Sequence, residues 1–281
     1  MHYRRPGLDR LSHALLALCC LLFLLPVWLA FTASTHTLGA LYSQTASLWF
    51  GEAGWDNYRH LLSGSVGGLG TDVLTLLINS TLMALGIAIG KIAISVLAAY
   101  AIVFFRFPFR RLCFWLIFIT LMLPVEVRIL PTFEVVADLG LLDSYAGLIL
   151  PLIASATATF LLRQFYLTIP PEMVEAARID GAGPWRFLRD ILLPLSKTNL
   201  AALFVIMFLY GWNQYLWPLL ITNDADYLTI VVGLKRLLTS ADGLVPWQNV
   251  TATAILAMLP PIVVILLMQR YFVKGLVDNE K

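Results

Sequence analysis

Glu175-Ala176-Ala177-Arg178-Ile179-Asp180-Gly181, followed by Ile191-Leu192-Leu193-Pro194, lies in the polar stretch Pro170–Asn199 between two apolar runs of membrane length. Thr168 suits a helix N-cap, and Pro170-Pro171 suit the first helical positions. Glu172 and Glu175 fall in the first turns, where carboxylates complement the helix dipole. Gly181 supplies the left-handed stop that helices favour. Pro184 opens a second short helix, Pro184–Leu193, which Pro194 ends. The pattern predicts a helix–turn–helix lying along the membrane face. Ala176, Ala177, Ala182 and Gly183 leave little side-chain bulk, so another protein's backbone can approach closely. An ordinary amphipathic connector is the competing reading of the pattern alone.

Composition sets the class around this stretch. The chain has 281 residues, 59% hydrophobic and 13% charged. A soluble domain carries roughly 25% charged residues, so a polytopic membrane protein is expected. The net charge of +2 implies no nucleic-acid partner. Cys19, Cys20 and Cys113 lie in apolar runs without CxxC spacing, which points to neither disulfides nor a metal. Leu16-Ala17-Leu18-Cys19 is a weak match to a lipoprotein processing site. The apolar run continues to Phe31, however, so a retained helix is expected rather than a cleaved signal.

A bilayer core of ~30 Å needs about 20 apolar residues as a helix. Six segments qualify: about Leu11–Phe31, Ile78–Phe105, Leu112–Leu123, Ala146–Phe165, Leu200–Leu220 and Ala252–Phe272. The third is short and continues through Pro124 as an irregular end. Basic residues set the orientation. Arg4, Arg5 and Arg10, then Arg106, Arg110 and Arg111, then Arg163, Arg178, Arg186, Arg189 and Lys197, then Arg270, Lys274 and Lys281 all fall on one side. The other side holds Arg59, Arg128, Lys235 and Arg236 among a majority of acidic residues. Both termini and the Glu175 loop are therefore expected in the cytoplasm. The organisation is a cytoplasmic N-terminus over 1–10, a membrane domain over 11–272 with its loop at 167–198, and a cytoplasmic tail over 273–281.

The ordered Glu-Ala-Ala, Asp-Gly and Ile-Leu-Leu-Pro elements resemble the EAA loop of bacterial ABC importer permeases. Further runs extend the resemblance over nearly the whole chain: Asn79-Ser80, Ala98-Ala99-Tyr100-Ala101, Leu142-Asp143-Ser144-Tyr145, and Tyr210-Gly211-Trp212-Asn213-Gln214-Tyr215. The chain is similar to the MalG-like carbohydrate-uptake permeases, and most of all to UgpE-type permease subunits for sn-glycerol 3-phosphate. This resemblance implies an all-α integral membrane protein with six transmembrane helices and a type I importer fold. Glu175, Ala176, Ala177, Asp180, Gly181, Ile191 and Pro194 are then the coupling residues that meet a separate ATPase. The implied partners are a UgpA-type sister permease, two UgpC-type ATPase subunits and a UgpB-type periplasmic binding protein. ATP and Mg are bound by the partner ATPase, with no cofactor in this chain.

Five residues are candidates for the substrate path. Lys91 lies near the middle of its apolar helix, where a cation costs at least ~2.5 kcal/mol and normally faces a cavity or a partner. A substrate phosphate would suit it. A sister-subunit carboxylate, or burial as the neutral amine, would serve as well. Glu126 and Arg128 sit just beyond a Pro-ended helix, as an outer mouth or a local ion pair. Asn213 and Gln214 need partners if buried, either a substrate hydroxyl or a neighbouring helix.

Gly86-Ile87-Ala88-Ile89-Gly90-Lys91 looks like a phosphate loop but has the wrong spacing and lies inside an apolar helix. Gly86 and Gly90 instead suit close helix packing. The energy source must be another subunit. The favoured function is an importer permease for glycerol 3-phosphate or related phosphodiesters, and this chain is not expected to be an enzyme. A neutral-sugar permease leaves Lys91 unnecessary, and a secondary transporter leaves the Glu175 loop unexplained. A membrane enzyme would need a catalytic cluster, whereas His2, His13, His36 and His60 are scattered.

Overall fold

A computed structural model describes residues 6–43, 48–64, 69–120, 125–239 and 244–278. The side chains of residues 6–9, 125–126 and 272–278 are not described. Among the described residues every regular element is helical. Two compact units are present. The first comprises the chain up to Thr75 with Gly233–Leu259, and the second Leu76–Val232 with the chain from Pro260.

The first unit opens with α1, Pro6–Ala33. None of its most apolar stretch is buried, which suits contact with lipid tails. Short helices α2 (Leu38–Ser43) and α3 (Gly54–Ser63) follow. Asn57 Nδ2 donates to the Ser34 and His36 carbonyls, each at 2.9 Å, and so fastens α3 to the end of α1.

All but the first three residues of α4, Val73–Phe104, belong to the second unit. The 32 residues of this helix span about 48 Å. Lipid tails give no hydrophobic drive between helices, so small residues and fit decide packing. A Cβ on Gly86 would meet Ile149 Cδ1 at 2.6 Å, and one on Gly211 would meet the Ala84 backbone at 2.9 Å. The packing role expected for Gly86 is therefore observed. Met83, Ile87, Val136, Leu148, Leu152, Trp217 and Ile221 form the core cluster there.

The next helices are α5 (Arg110–Ile119), α6 (Val125–Asp138, with Pro131 inside) and α7 (Tyr145–Ile149). A 3-10 turn at Leu150–Leu152 leads to α8, Ala156–Tyr166. Then come α9 (Pro171–Ile179), α10 (Pro184–Phe187), a π turn at Leu188–Leu192 and α11 (Leu193–Leu195). After these, α12 covers Lys197–Trp212, α13 Leu216–Ile221, α14 Ile230–Leu238 and α15 Trp247–Asp278.

Among the described residues three helices are long and apolar enough to cross a membrane: Arg10–Ala33, Val73–Phe104 and Trp247–Tyr271. Several expected spans are broken. Tyr145–Leu152 and Ala156–Tyr166 bend by 48°. Ser155 is extended there and its hydroxyl accepts from Ala158 N at 3.2 Å, a cap that starts α8 afresh. The predicted span Leu200–Leu220 is also not one helix, because α12 stops at Trp212 and α13 begins at Leu216. Pro184–Leu195 and Lys197–Trp212 meet at 76°. Counting each bent pair as one span gives five. Of the predicted third span, α5 covers ten residues, and positions 121–124 lie outside the described residues.

Candidate functional site

The Glu175 segment is built much as its turn residues dictate. Pro171 opens α9, and Asp180 closes it as C-cap. Gly181 has φ +70°. Ala182 N donates to Ala177 O at 2.9 Å and Gly181 N to Arg178 O at 3.0 Å. These are the paired bonds of a Schellman stop. Two expectations need correction. Thr168 does not cap α9: its hydroxyl turns back to the Phe165 carbonyl at 2.7 Å, and Pro170 occupies the cap position. Nor does Pro194 end the second helix. The wide turn at Leu188–Leu192 precedes it, and Pro194 sits in the first turn of α11. A proline ring clashes with the carbonyl four residues back, and a π turn relieves that clash.

The loop presents one face outward. Glu175, Ala176, Asp180, Gly181 and Pro194 are exposed, Ile191 is half-buried and Ala177 is buried. Ile179 is 85% exposed and Trp185 69%. With the exposed Arg178, Arg186 and Arg189 they make a mixed apolar and charged surface beside a tight turn. The opposite face is braced on the end of α4. Tyr100 donates its hydroxyl to the Pro184 carbonyl at 2.8 Å. Phe104 lies 5.3 Å from Phe187 and 6.1 Å from Tyr166, centroid to centroid. A push on α10 therefore meets aromatic rings on α4 and α8 rather than a soft loop. Sequence reasoning did not single out Tyr100 or Phe104 as functional. Their aromatic four-residue spacing at a helix end was the available signal.

A separate cavity of about 370 Å³ opens among α6, α12 and α13. Arg128, Thr132, Tyr210, Asn213, Gln214 and Trp217 line it. Of the candidate path residues, Arg128, Asn213 and Gln214 line this one cavity. The two amides donate to their own helix, Asn213 Nδ2 to Leu209 O at 2.9 Å and Gln214 Nε2 to Tyr210 O at 3.1 Å. The side chain of Glu126 lies outside the described residues.

Lys91 is 5% exposed and does not line this cavity. Its ammonium stands over the Tyr210 ring, 3.5 Å from the centroid. The ring quadrupole attracts the cation there. Tyr210 was missed as a partner because it lies in another helix. Arg128 is the cationic side chain of the cavity lining, and the Tyr210 ring is shared between that lining and Lys91.

Asn79 is 1% exposed and its amide is fully engaged. Its amide donates to the carbonyls of Asp226 at 2.7 Å and Leu228 at 2.9 Å. Tyr145 donates to its Oδ1 at 2.6 Å. Ser80 accepts from Ile230 N at 2.7 Å. Asp143 accepts from Asn223 N and Asp224 N at 2.6 and 2.9 Å. The Asn79-Ser80 and Asp143-Ser144-Tyr145 runs therefore clamp one segment, residues 223–230.

Comparison with known proteins places this geometry. A family model described as "Binding-protein-dependent transport system inner membrane component" matches residues 91–278. The sn-glycerol-3-phosphate transport system permease protein UgpE of Brucella melitensis is 58% identical over 279 residues, covering 99% of each chain. UgpE of Agrobacterium fabrum is 59% identical over 278 residues, again covering 99% of each. UgpE of Yersinia pestis is 56% identical over 277 residues, at the same coverage. Among solved structures, a bacterial ABC transporter involved in the import of the acidic polysaccharide alginate superposes with a TM-score of 0.82. It shares 23% identity and the match covers 97% of this chain and 99% of that one, so it speaks to the fold. The chain belongs to the inner-membrane components of binding-protein-dependent transport systems, the multi-pass permease subunits of ABC importers that work with separate ATPase and periplasmic binding-protein partners.

Proposed function

We propose that this chain is the permease subunit of an ATP-driven importer for sn-glycerol 3-phosphate and glycerophosphodiesters. The observation that carries this reading is the 58% identity to a UgpE over 99% of both chains. The arginine-bearing cavity backed by Tyr210 and Lys91 supports an anionic substrate independently. Arg128 can take a phosphate through paired hydrogen bonds. Asn213 and Gln214 offer amide oxygens to the glycerol hydroxyls.

In this reading the chain crosses the membrane six times with both termini in the cytoplasm. It pairs with a UgpA-type sister permease, two UgpC-type ATPase subunits and a UgpB-type binding protein. ATP and Mg reside in the ATPases. Their closure presses on Glu175, Ala176, Ala177, Asp180 and Gly181, with Ile191 and Pro194 at the rim. The contact at Tyr100–Pro184 passes that displacement to α4, and the cavity opens outward. Glu175 meets a basic residue of the ATPase.

Co-purification with the neighbouring gene products tests this reading. ATP hydrolysis by the complex should rise with binding protein and glycerol 3-phosphate, and not with maltose. Stimulation by maltose alone would favour a neutral-sugar permease. Full uptake by this chain without any ATPase would favour a secondary transporter.

A further inference from the structure

Three arginines converge in a recess that neither the loop nor the cavity uses. It lies among α4, α5 and α8 with a volume of about 440 Å³. Arg110, Arg111 and Arg163 line it, with Val103, Phe114 and Trp115. The Arg163 guanidinium stacks on Phe114 at 4.1 Å from the ring centroid. Its Nε is buried without a hydrogen-bond partner. Arg110 gives one N–H to the Phe105 carbonyl at 3.3 Å. Among the described residues both ion pairs belong to Asp190 and include none of the three arginines. Three cations thus share a recess with no carboxylate to balance them, an arrangement that favours an anion.

The neighbouring side chains fix the depth of the recess. Arg110-Arg111 open α5, and Leu112, Trp115 and Leu116 follow with more than half their surface exposed. In a membrane protein such side chains lie against acyl chains, and tryptophan prefers the headgroup boundary. The arginines then stand at headgroup level, one turn from the hydrocarbon. A water-soluble anion would gain nothing from that apolar flank.

We propose that this recess binds the phosphate of an anionic glycerophospholipid. The guanidinium groups hold its oxygens, and Trp115 and Leu112 lie along an acyl chain. The proposal depends on membrane placement and not on the imported substrate, so it stands or falls apart from the glycerol 3-phosphate reading.

Native mass spectrometry of the full-length chain, co-purified with its partners, delipidated and supplied with phosphatidylglycerol or phosphatidylcholine, tests it. The wild type should retain phosphatidylglycerol in preference. R110Q/R111Q should lose about fivefold in retention per arginine. R110K/R111K, which keeps the charge, should retain most of the preference, and R59Q should match the wild type. Equal retention of the two lipids by the wild type would overturn the proposal. So would equal loss in the Gln and Lys variants, which would make the effect one of shape. Displacement of the lipid by millimolar inorganic phosphate would show a free-anion site instead.

Discussion

The ammonium of Lys91 stands 3.5 Å from the centroid of the Tyr210 ring, and the same ring lines the cavity that holds Arg128. A single aromatic side chain thus joins the buried cation of α4 to that cavity. The first prediction concerns that pair. Removing the ring leaves a cation in the membrane without its partner, and a desolvated cation–π contact is worth about 2 kcal/mol. Tyr210→Leu should lower the thermal midpoint of the detergent-purified complex, and Lys91→Met in the same background should recover part of the loss. The cycle should show a coupling of 1–2 kcal/mol, on the order expected for such a contact. Additive effects would separate the two residues.

Gly181 tests the turn. Its φ of +70° strains any branched side chain, although a Cβ there meets no atom within 4 Å. The cost of substitution is therefore conformational rather than steric. Gly181→Val should cut uptake sharply while membrane insertion stays normal. Gly181→Asn, which tolerates the left-handed region, should retain more uptake than valine. Uptake and insertion measured on both variants check this ordering. Full uptake by the valine variant would count against a coupling role for the turn.

Tyr100 tests the brace. Tyr100→Phe removes one hydrogen bond to the Pro184 carbonyl and keeps the ring contacts. The loss is about 1 kcal/mol. Fewer substrate molecules should move per ATP hydrolysed, with hydrolysis itself largely kept. Tyr100→Ala, which also removes the ring packing, should uncouple the complex further. Parallel assays of uptake and phosphate release give the ratio.

Asn79 tests the clamp. Asn79→Leu leaves two carbonyls and the Tyr145 hydroxyl without their partner in a buried site. Each unsatisfied buried group costs about 1–3 kcal/mol. Expression of folded protein should fall severely, and Asn79→Asp, which keeps the acceptor for Tyr145 but loses both donors, should fall as well. Fluorescence-detected size exclusion reads both.

The sequence made some of this architecture legible and hid the rest for physical reasons. The long apolar runs forming α1, α4 and α15 declare themselves, because a membrane span is a matter of length and polarity. Gly181 and Pro171 also declared their roles, since a turn is fixed by its own residues. The breaks at Ser155 and Asn213 did not. Hydropathy counts apolar residues across Ala146–Phe165 and Leu200–Leu220, and one capping hydroxyl or amide hardly alters the sum. The π turn ahead of Pro194 was hidden because a proline's local rule is to stop a helix, whereas widening one turn also satisfies it. Lys91 and Tyr210 lie on different helices, so no spacing rule joins them. Of the candidate site, Arg128, Asn213 and Gln214 line one cavity, while Lys91 lies against Tyr210 rather than in that lining.

In the proposed function this permease moves glycerol 3-phosphate when its loop around Glu175 is driven by ATP. The most direct measurement is uptake of labelled glycerol 3-phosphate into proteoliposomes holding the assembled importer, with ATP inside and binding protein outside, for wild type and Gly181→Val. The wild type should show ATP-dependent uptake, unaffected by excess maltose, and the variant a steep loss at equal complex content. Uptake that proceeds without ATP, or equal uptake by the variant, would contradict it.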